Sequence, residues 1–189
     1  MMTLAERLPA RQRDIIASEL KRLNEAVRHH LTRASAAGPV ALRPRVTLSV
    51  ALESVFNGVT RLAERQSIVF QKPDIPALQL QIDAQDLQEI VGNLLENALR
   101  WAKSEVVMAI DNDAENLYLN IMDDGPGMSA QRREDALQRG SRLDEQRSGS
   151  GLGLAIVSEL VQLYGGQLQL EPSPTGGLMV TASLPCPAA

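Results

Sequence analysis

Three stretches of this chain place side chains at spacings that could do chemistry. The first is Glu89-Ile90-Val91-Gly92-Asn93-Leu94-Leu95-Glu96-Asn97-Ala98. On a helix, Glu89, Asn93 and Asn97 share one stripe, with Glu96, Arg100 and Lys103 alongside. Asn is a poor helix former because its side chain competes for the backbone, so a merely solvated face would more often use Glu, Lys or Gln. Two amide carbonyls in adjacent turns can instead offer oxygen to a hard cation such as Mg²⁺, with Arg100 and Lys103 placed for phosphates. Taken alone, the stripe leaves the solvated face and the ion site both open. The second stretch is Asp123-Asp124-Gly125-Pro126-Gly127-Met128, directly after a strand pattern. It reads either as a tight turn or as a carboxylate set to accept from an exocyclic amine, with glycines that let the backbone approach a flat ligand. The third, Gly149-Ser150-Gly151-Leu152-Gly153-Leu154, opens a helix, where free N–H groups and the helix dipole favour an anion such as phosphate. It is not a Walker A loop, which needs Gly-Lys-Ser/Thr. Nor is it a dinucleotide fingerprint, because a polar loop precedes it and Leu154 stands where the third glycine belongs.

The elements that must position these residues follow from periodicity. Val50 to Arg65 and Asp86 to Lys103 have helical spacing; Ser67 to Lys72 and Leu78 to Asp83 alternate like strands. Strands are expected at Glu105 to Asp111 and Leu117 to Asp123, joined by the turn Asn112 to Asn116. A helix is expected from Gly151 to Tyr164, then strands at Gln167 to Leu170 and Leu178 to Leu184. Strand pairs joined by short turns require a mixed, mostly antiparallel sheet, with helices on one face, so the class is a two-layer α/β sandwich. The Arg-, Asp-, Gln- and Ser-rich stretch between Gly125 and Ser150 has weak periodicity and reads as a lid over about residues 128–148.

Ahead of this domain, Ile16, Leu20, Leu23, Val27, His30 and Ala34 recur at spacings of four and three, predicting one long helix from about Arg11 to Ala36. Ala36-Ala37-Gly38-Pro39 ends it, which divides the chain into residues 1–39 and 40–189. Charge divides at nearly the same place. Residues 1–45 carry nine Lys or Arg against four Asp or Glu, and the rest carry ten against nineteen, so a net −4 conceals parts of +5 and −9.

Composition removes whole classes of function. Aromatic residues are 3%, too few for the stacking platforms of single-stranded nucleic acid binding. Cys186 is the only cysteine, which excludes a disulfide framework or a thiolate zinc cluster. No apolar run approaches the roughly 18 residues needed to span a bilayer, so the chain is expected to be soluble and cytoplasmic, without membrane contact of its own.

All three motifs, in this order and on these elements, are far more specific than any one. Together they resemble the N, G1 and G2 boxes of the GHKL ATP-binding superfamily, and within it the catalytic domain of bacterial two-component sensor histidine kinases. Gly176-Gly177 and the terminal Leu184-Pro185 also suit that pattern, which covers about residues 45 to 186. The leading helix resembles the second helix of a kinase dimerisation hairpin, in the manner of PhoQ-like sensors. The resemblance implies the GHKL (Bergerat) fold, ATP or ADP as ligand and Mg²⁺ as cofactor. Carried over, Asn93 would ligate Mg²⁺, Asn97 would support the phosphates or the metal shell, and Arg100 would reach phosphate or ribose. Trp101 would line the adenine, Asp123 would accept from its amino group, and Gly125 and Gly127 would make room for the base. Gly149, Gly151, Leu152 and Gly153 would cradle phosphates, with Arg139 and Gly140 in the lid. Leu137 stands where the family places a phenylalanine.

The resemblance also implies partners: an upstream dimerisation helix, the second protomer of a parent kinase and a response regulator, with the parent an inner-membrane sensor. Nucleic acid is not expected. His29 and His30 lack the acidic and proline neighbours of a phosphoacceptor box, and the spacing from His29 to Asn93 leaves no room for a return helix. The chain alone is therefore not expected to phosphorylate itself; it would donate the γ-phosphoryl of ATP to a histidine outside it. Two other readings remain: a hydrolytic GHKL ATPase, with Glu89 as the general base, and an anti-sigma-type regulator for which ATP is a structural ligand.

Overall fold

The computed structural model describes residues 45–139 and 153–186. The expected leading helix, the boundary near residue 40, His29 and His30 lie outside them, as do Gly140, Gly149, Gly151 and Leu152 and the side chains of Leu137 and Arg139. The described elements run β1 (Arg45–Thr47), α1 (Leu48–Gln66), β2 (Val69–Gln71), β3 (Gln79–Gln81), α2 (Ala84–Trp101), β4 (Glu105–Asn112), β5 (Asn116–Asp123), α3 (Ala130–Arg139), α4 (Gly153–Leu163), β6 (Gln167–Pro172) and β7 (Leu178–Pro185).

Helices α1, α2 and α4 form where their apolar spacing predicts. On α2, Leu87, Ile90, Val91, Leu94, Leu95, Ala98 and Leu99 are buried on one stripe. Its start is set by Asp83, whose Oδ1 accepts from the Gln85 N–H at 2.8 Å, and Arg100 in the last turn complements the helix dipole. The hairpin of β4 and β5 turns on Asp113. Its Oδ1 accepts from the N–H groups of Glu115 and Asn116, and its Oδ2 from the Tyr118 hydroxyl. The Glu115 N–H, then the Tyr118 hydroxyl and the Asn116 N–H, hold this carboxyl below its ordinary value.

Five strands form the main sheet in the order β2-β4-β5-β7-β6, and β1 and β3 make a separate two-stranded ladder. β2 runs parallel to β4, and the other neighbours in the main sheet are antiparallel. Register puts Met108, Ile121, Val180 and Leu170 in one row, with Leu119 and Ala182 in the next. All six are buried, and they share one cluster with the apolar stripes of α1, α2 and α4. The opposite sheet face carries Asn120, whose amide donates to Asp111 at 3.0 Å and accepts from the Thr181 hydroxyl at 2.8 Å. This is the expected two-layer α/β sandwich: a mixed, mostly antiparallel sheet with helices on one face.

Three local expectations need correction. The alternating segments Ser67 to Lys72 and Leu78 to Asp83 contribute only three-residue strands. The interposed Pro73 and Pro76 cannot donate to a ladder and shorten both. The stretch after the second motif is not featureless at its start, because Ala130–Arg139 is helical with Ala136 buried. Its polar composition hid the helix, since only one narrow side is covered.

Candidate functional site

The C-terminal ends of α2 and β5 and the N-terminal end of β7 meet around Asp123. Strand alternation points this carboxylate to the helix-covered face, and it is 3% exposed. Its Oδ1 accepts from the Gly125 N–H at 2.8 Å and from the Leu178 N–H at 3.3 Å. Burial pushes its pKa above the usual carboxylate range, and the two N–H groups work the other way. Among the described residues Oδ2 takes no hydrogen bond. The carboxylate forms part of the wall of a cavity of about 310 Å³, lined also by Trp101, Pro126, Gly127, Met128, Arg132 and Leu178. An apolar slot with one oriented acceptor suits a flat heterocycle that carries an amine.

The glycines of the second motif act differently from the expectation that both make room for a ligand. Gly125 is pressed against the protein itself: a Cβ there would collide with the Trp101 carbonyl and stand 2.7 Å from Asp123 Oδ1. Its missing side chain lets the end of α2 close on the motif. Gly127 does line the cavity, and its φ of +67° is a left-handed conformation that glycine adopts without strain.

Asp124 lies outside the cavity lining and ties the same corner together. It accepts from the Lys103 N–H at 2.7 Å, from the Ser104 N–H and from the Ser104 hydroxyl at 2.5 Å. Desolvation pushes its pKa upward, but the Ser104 hydroxyl and the N–H groups of Ser104, Lys103 and Glu105 outweigh it and hold the carboxyl well below its ordinary value. A depressed carboxyl contributes stability that is fully present above the unfolded value of about 3.9 and is lost as pH falls through the folded one. The melting-temperature advantage of the protein over Asp124→Asn should accordingly be constant above about pH 5 and shrink below about pH 4. An advantage that grows on acidification would contradict this role.

The first motif supplies the other half of the site. Asn93 is half-buried on α2, and its Nδ2 donates to the Glu89 carbonyl at 2.8 Å. Because a carbonyl only accepts, that bond fixes which end of the amide points outward. A Cβ on Gly153 would lie 3.2 Å from Asn93 Oδ1, so the amide oxygen sits beside the first residue of α4. The first and third motifs, far apart in sequence, thus meet at a helix N-terminus. Among the described residues no group of three His, Cys, Asp or Glu side chains gathers to hold a metal. A cation here would take its protein ligand from Asn93 and the rest of its shell from water and phosphate, which is the habit of Mg²⁺.

Other expected residues are placed as follows. Glu89 and Asn97 are half-buried on the same helix, whereas Arg100 is exposed in its last turn and lies outside the cavity lining. Trp101 shares the cavity with Asp123. Sequence reasoning missed Met128, Arg132 and Leu178 in that lining and the reason for Gly177, where a Cβ would collide with the Asp123 carbonyl and carboxylate. The Gly176-Gly177 doublet was the available signal for the last; an apolar strand start such as Leu178 carries none. Arg133 donates to the Met128 carbonyl at 2.7 Å and anchors the link into α3.

A family model described as histidine kinase-, DNA gyrase B- and HSP90-like ATPase matches residues 82–188. The sensor protein kinase CarS of Pseudomonas aeruginosa is 48% identical over 110 residues, which are 58% of this chain and 25% of that protein. The sensor protein PhoQ of Escherichia coli K12 is 27% identical over 164 residues, 86% of this chain and 34% of PhoQ. The solved mycobacterial sensor histidine kinase MprB superposes with a TM-score of 0.65 at 28% identity, covering 77% of this chain and 100% of that one. The chain therefore spans 25% and 34% of the lengths of these two curated relatives. Among the described residues no helix is long and apolar enough to cross a membrane.

Proposed function

The chain belongs to the histidine kinase-, DNA gyrase B- and HSP90-like ATPase family, and we propose that it is the ATP- and Mg²⁺-binding catalytic part of a sensor histidine kinase. The observation that carries this reading is the meeting of Asn93 Oδ1 with the N-terminus of α4 on the same α2 that places Trp101 beside Asp123. In it, Asp123 accepts from the adenine amine while Trp101, Met128 and Leu178 cover the base. The N–H groups at the start of α4 turn toward the phosphates. Asn93 holds Mg²⁺, which when bound neutralises phosphate charge. Asn97 supports the phosphates from the next turn of α2, and Arg100 reaches them only from an exposed position. Phosphoryl transfer is mostly positioning, so the chain's contribution is to fix ATP for in-line attack by an imidazole that it does not itself present.

That imidazole would come from an upstream dimerisation helix of a membrane-bound parent, the phosphate passing on to a response regulator. The relatives' names support this over the hydrolytic and anti-sigma alternatives, since all three are sensor kinases. Glu89 then serves by orienting Asn93 through its carbonyl, and the general-base role is not needed.

Titration with a fluorescent ATP analogue tests the metal site. Asn93→Ala should weaken binding with Mg²⁺ by about tenfold or more, the worth of one lost ligand near 1.4 kcal/mol, and leave binding in EDTA nearly unchanged. Equal loss in both conditions, or none, would count against Asn93 as the metal ligand.

A further inference from the structure

α4 is tied to α2 at two ends. At one end Gly153 stands beside Asn93. At the other the Tyr164 hydroxyl donates to Asp86 Oδ2 at 2.5 Å and accepts from the Asp83 N–H at 3.2 Å. The two helices are therefore antiparallel, and one phenol grips both the cap and the first turn of α2. Between these ends the contact is made by Val157, Leu160 and Val161, all buried against the apolar stripe of α2. Apolar contact is non-directional and tolerates a small slide along the axis; hydrogen bonds to a carboxylate and a backbone N–H do not.

We infer that Tyr164 is a positioning residue that sets the axial register of α4 on α2, and through it the spacing between Asn93 and the phosphate-binding end of α4. This rests on the proposed nucleotide site, and it assigns to a side chain remote from the nucleotide a share of the Mg²⁺-dependent affinity. Misplacement of a binding group by a fraction of an ångström acts on the interactions it makes and leaves as it was the base pocket, to whose lining α4 contributes no residue.

The test uses the full 189-residue chain and calorimetric titration with MgATP, with ATP in EDTA and with adenosine. Tyr164→Phe should weaken MgATP about fivefold, a modest hydrogen-bond-sized effect, and leave adenosine within about twofold. Asp86→Asn, which keeps an acceptor oxygen for the phenol, should show the same split in smaller measure. Asn120→Ala, on the sheet face opposite the described helices, reports plain destabilisation and should lower the melting temperature without a split. If wild-type protein binds MgATP no better than ATP in EDTA, the site reading itself fails. If wild type behaves as proposed but Tyr164→Phe leaves MgATP unchanged, or weakens adenosine and MgATP alike, the positioning role is overturned.

Discussion

Asp123→Ala should lower affinity for ADP by roughly a hundredfold, since a buried hydrogen bond to a charged acceptor is worth about 1.5–3 kcal/mol and, among the described residues, the slot is lined by no second acceptor side chain. Truncation also strands the Gly125 and Leu178 N–H groups that Oδ1 now satisfies, so the alanine variant should melt earlier as well. Asp123→Asn separates the two effects. Its carbonyl oxygen can keep both N–H groups, while its NH₂ replaces Oδ2 and faces the base amine donor to donor. That variant should retain most of its melting temperature and still lose ADP. Full ADP affinity in folded Asp123→Asn would remove the carboxylate from the site. Because burial raises the pKa of Asp123, ADP affinity should also weaken on acidification above the ordinary carboxylate value of about 3.9.

Gly177→Ala should do comparable damage without removing a polar group. The added methyl would collide with the Asp123 carbonyl and carboxylate and stand 2.6 Å from the Gly125 nitrogen. Two of the three are backbone atoms at the junction of β5 and β7, and the third, Asp123 Oδ1, is held by the Gly125 and Leu178 N–H groups, so the junction itself must open. Overpacking of this kind costs about 1–3 kcal/mol, which for a domain of this size lowers the melting temperature by several degrees. ADP binding should fall with it, because Asp123 and Leu178 are the groups displaced. Gly58→Ala is the control. Its Cβ meets nothing within 4 Å on α1, so it should stabilise the protein by about 0.5–1 kcal/mol and leave binding unchanged. Wild-type melting and binding in Gly177→Ala would show that the junction relaxes freely and that the tight contact has no consequence.

What the sequence determined by itself was local. The apolar stripe of α2, the Asp113 turn and the in–out alternation of β4, β5 and β7 are written in spacings of three to four or of two residues, which a reader can follow without knowing what lies opposite. The three motifs, each open to a plainer reading when taken alone, pointed to a nucleotide only through their order and their resemblance to the ATP-binding family. Tertiary structure alone decided who meets whom. It set the parallel pairing of β2 with β4. It brought Leu178 and Gly177 to Asp123, gave Gly125 the task of admitting the Trp101 carbonyl, and closed Tyr164 on Asp86. None of these partners lies within a few turns of the other in the chain. Their encounters follow from burying one sheet face under the helices, a non-directional force that selects the arrangement only when every apolar stripe is satisfied at once.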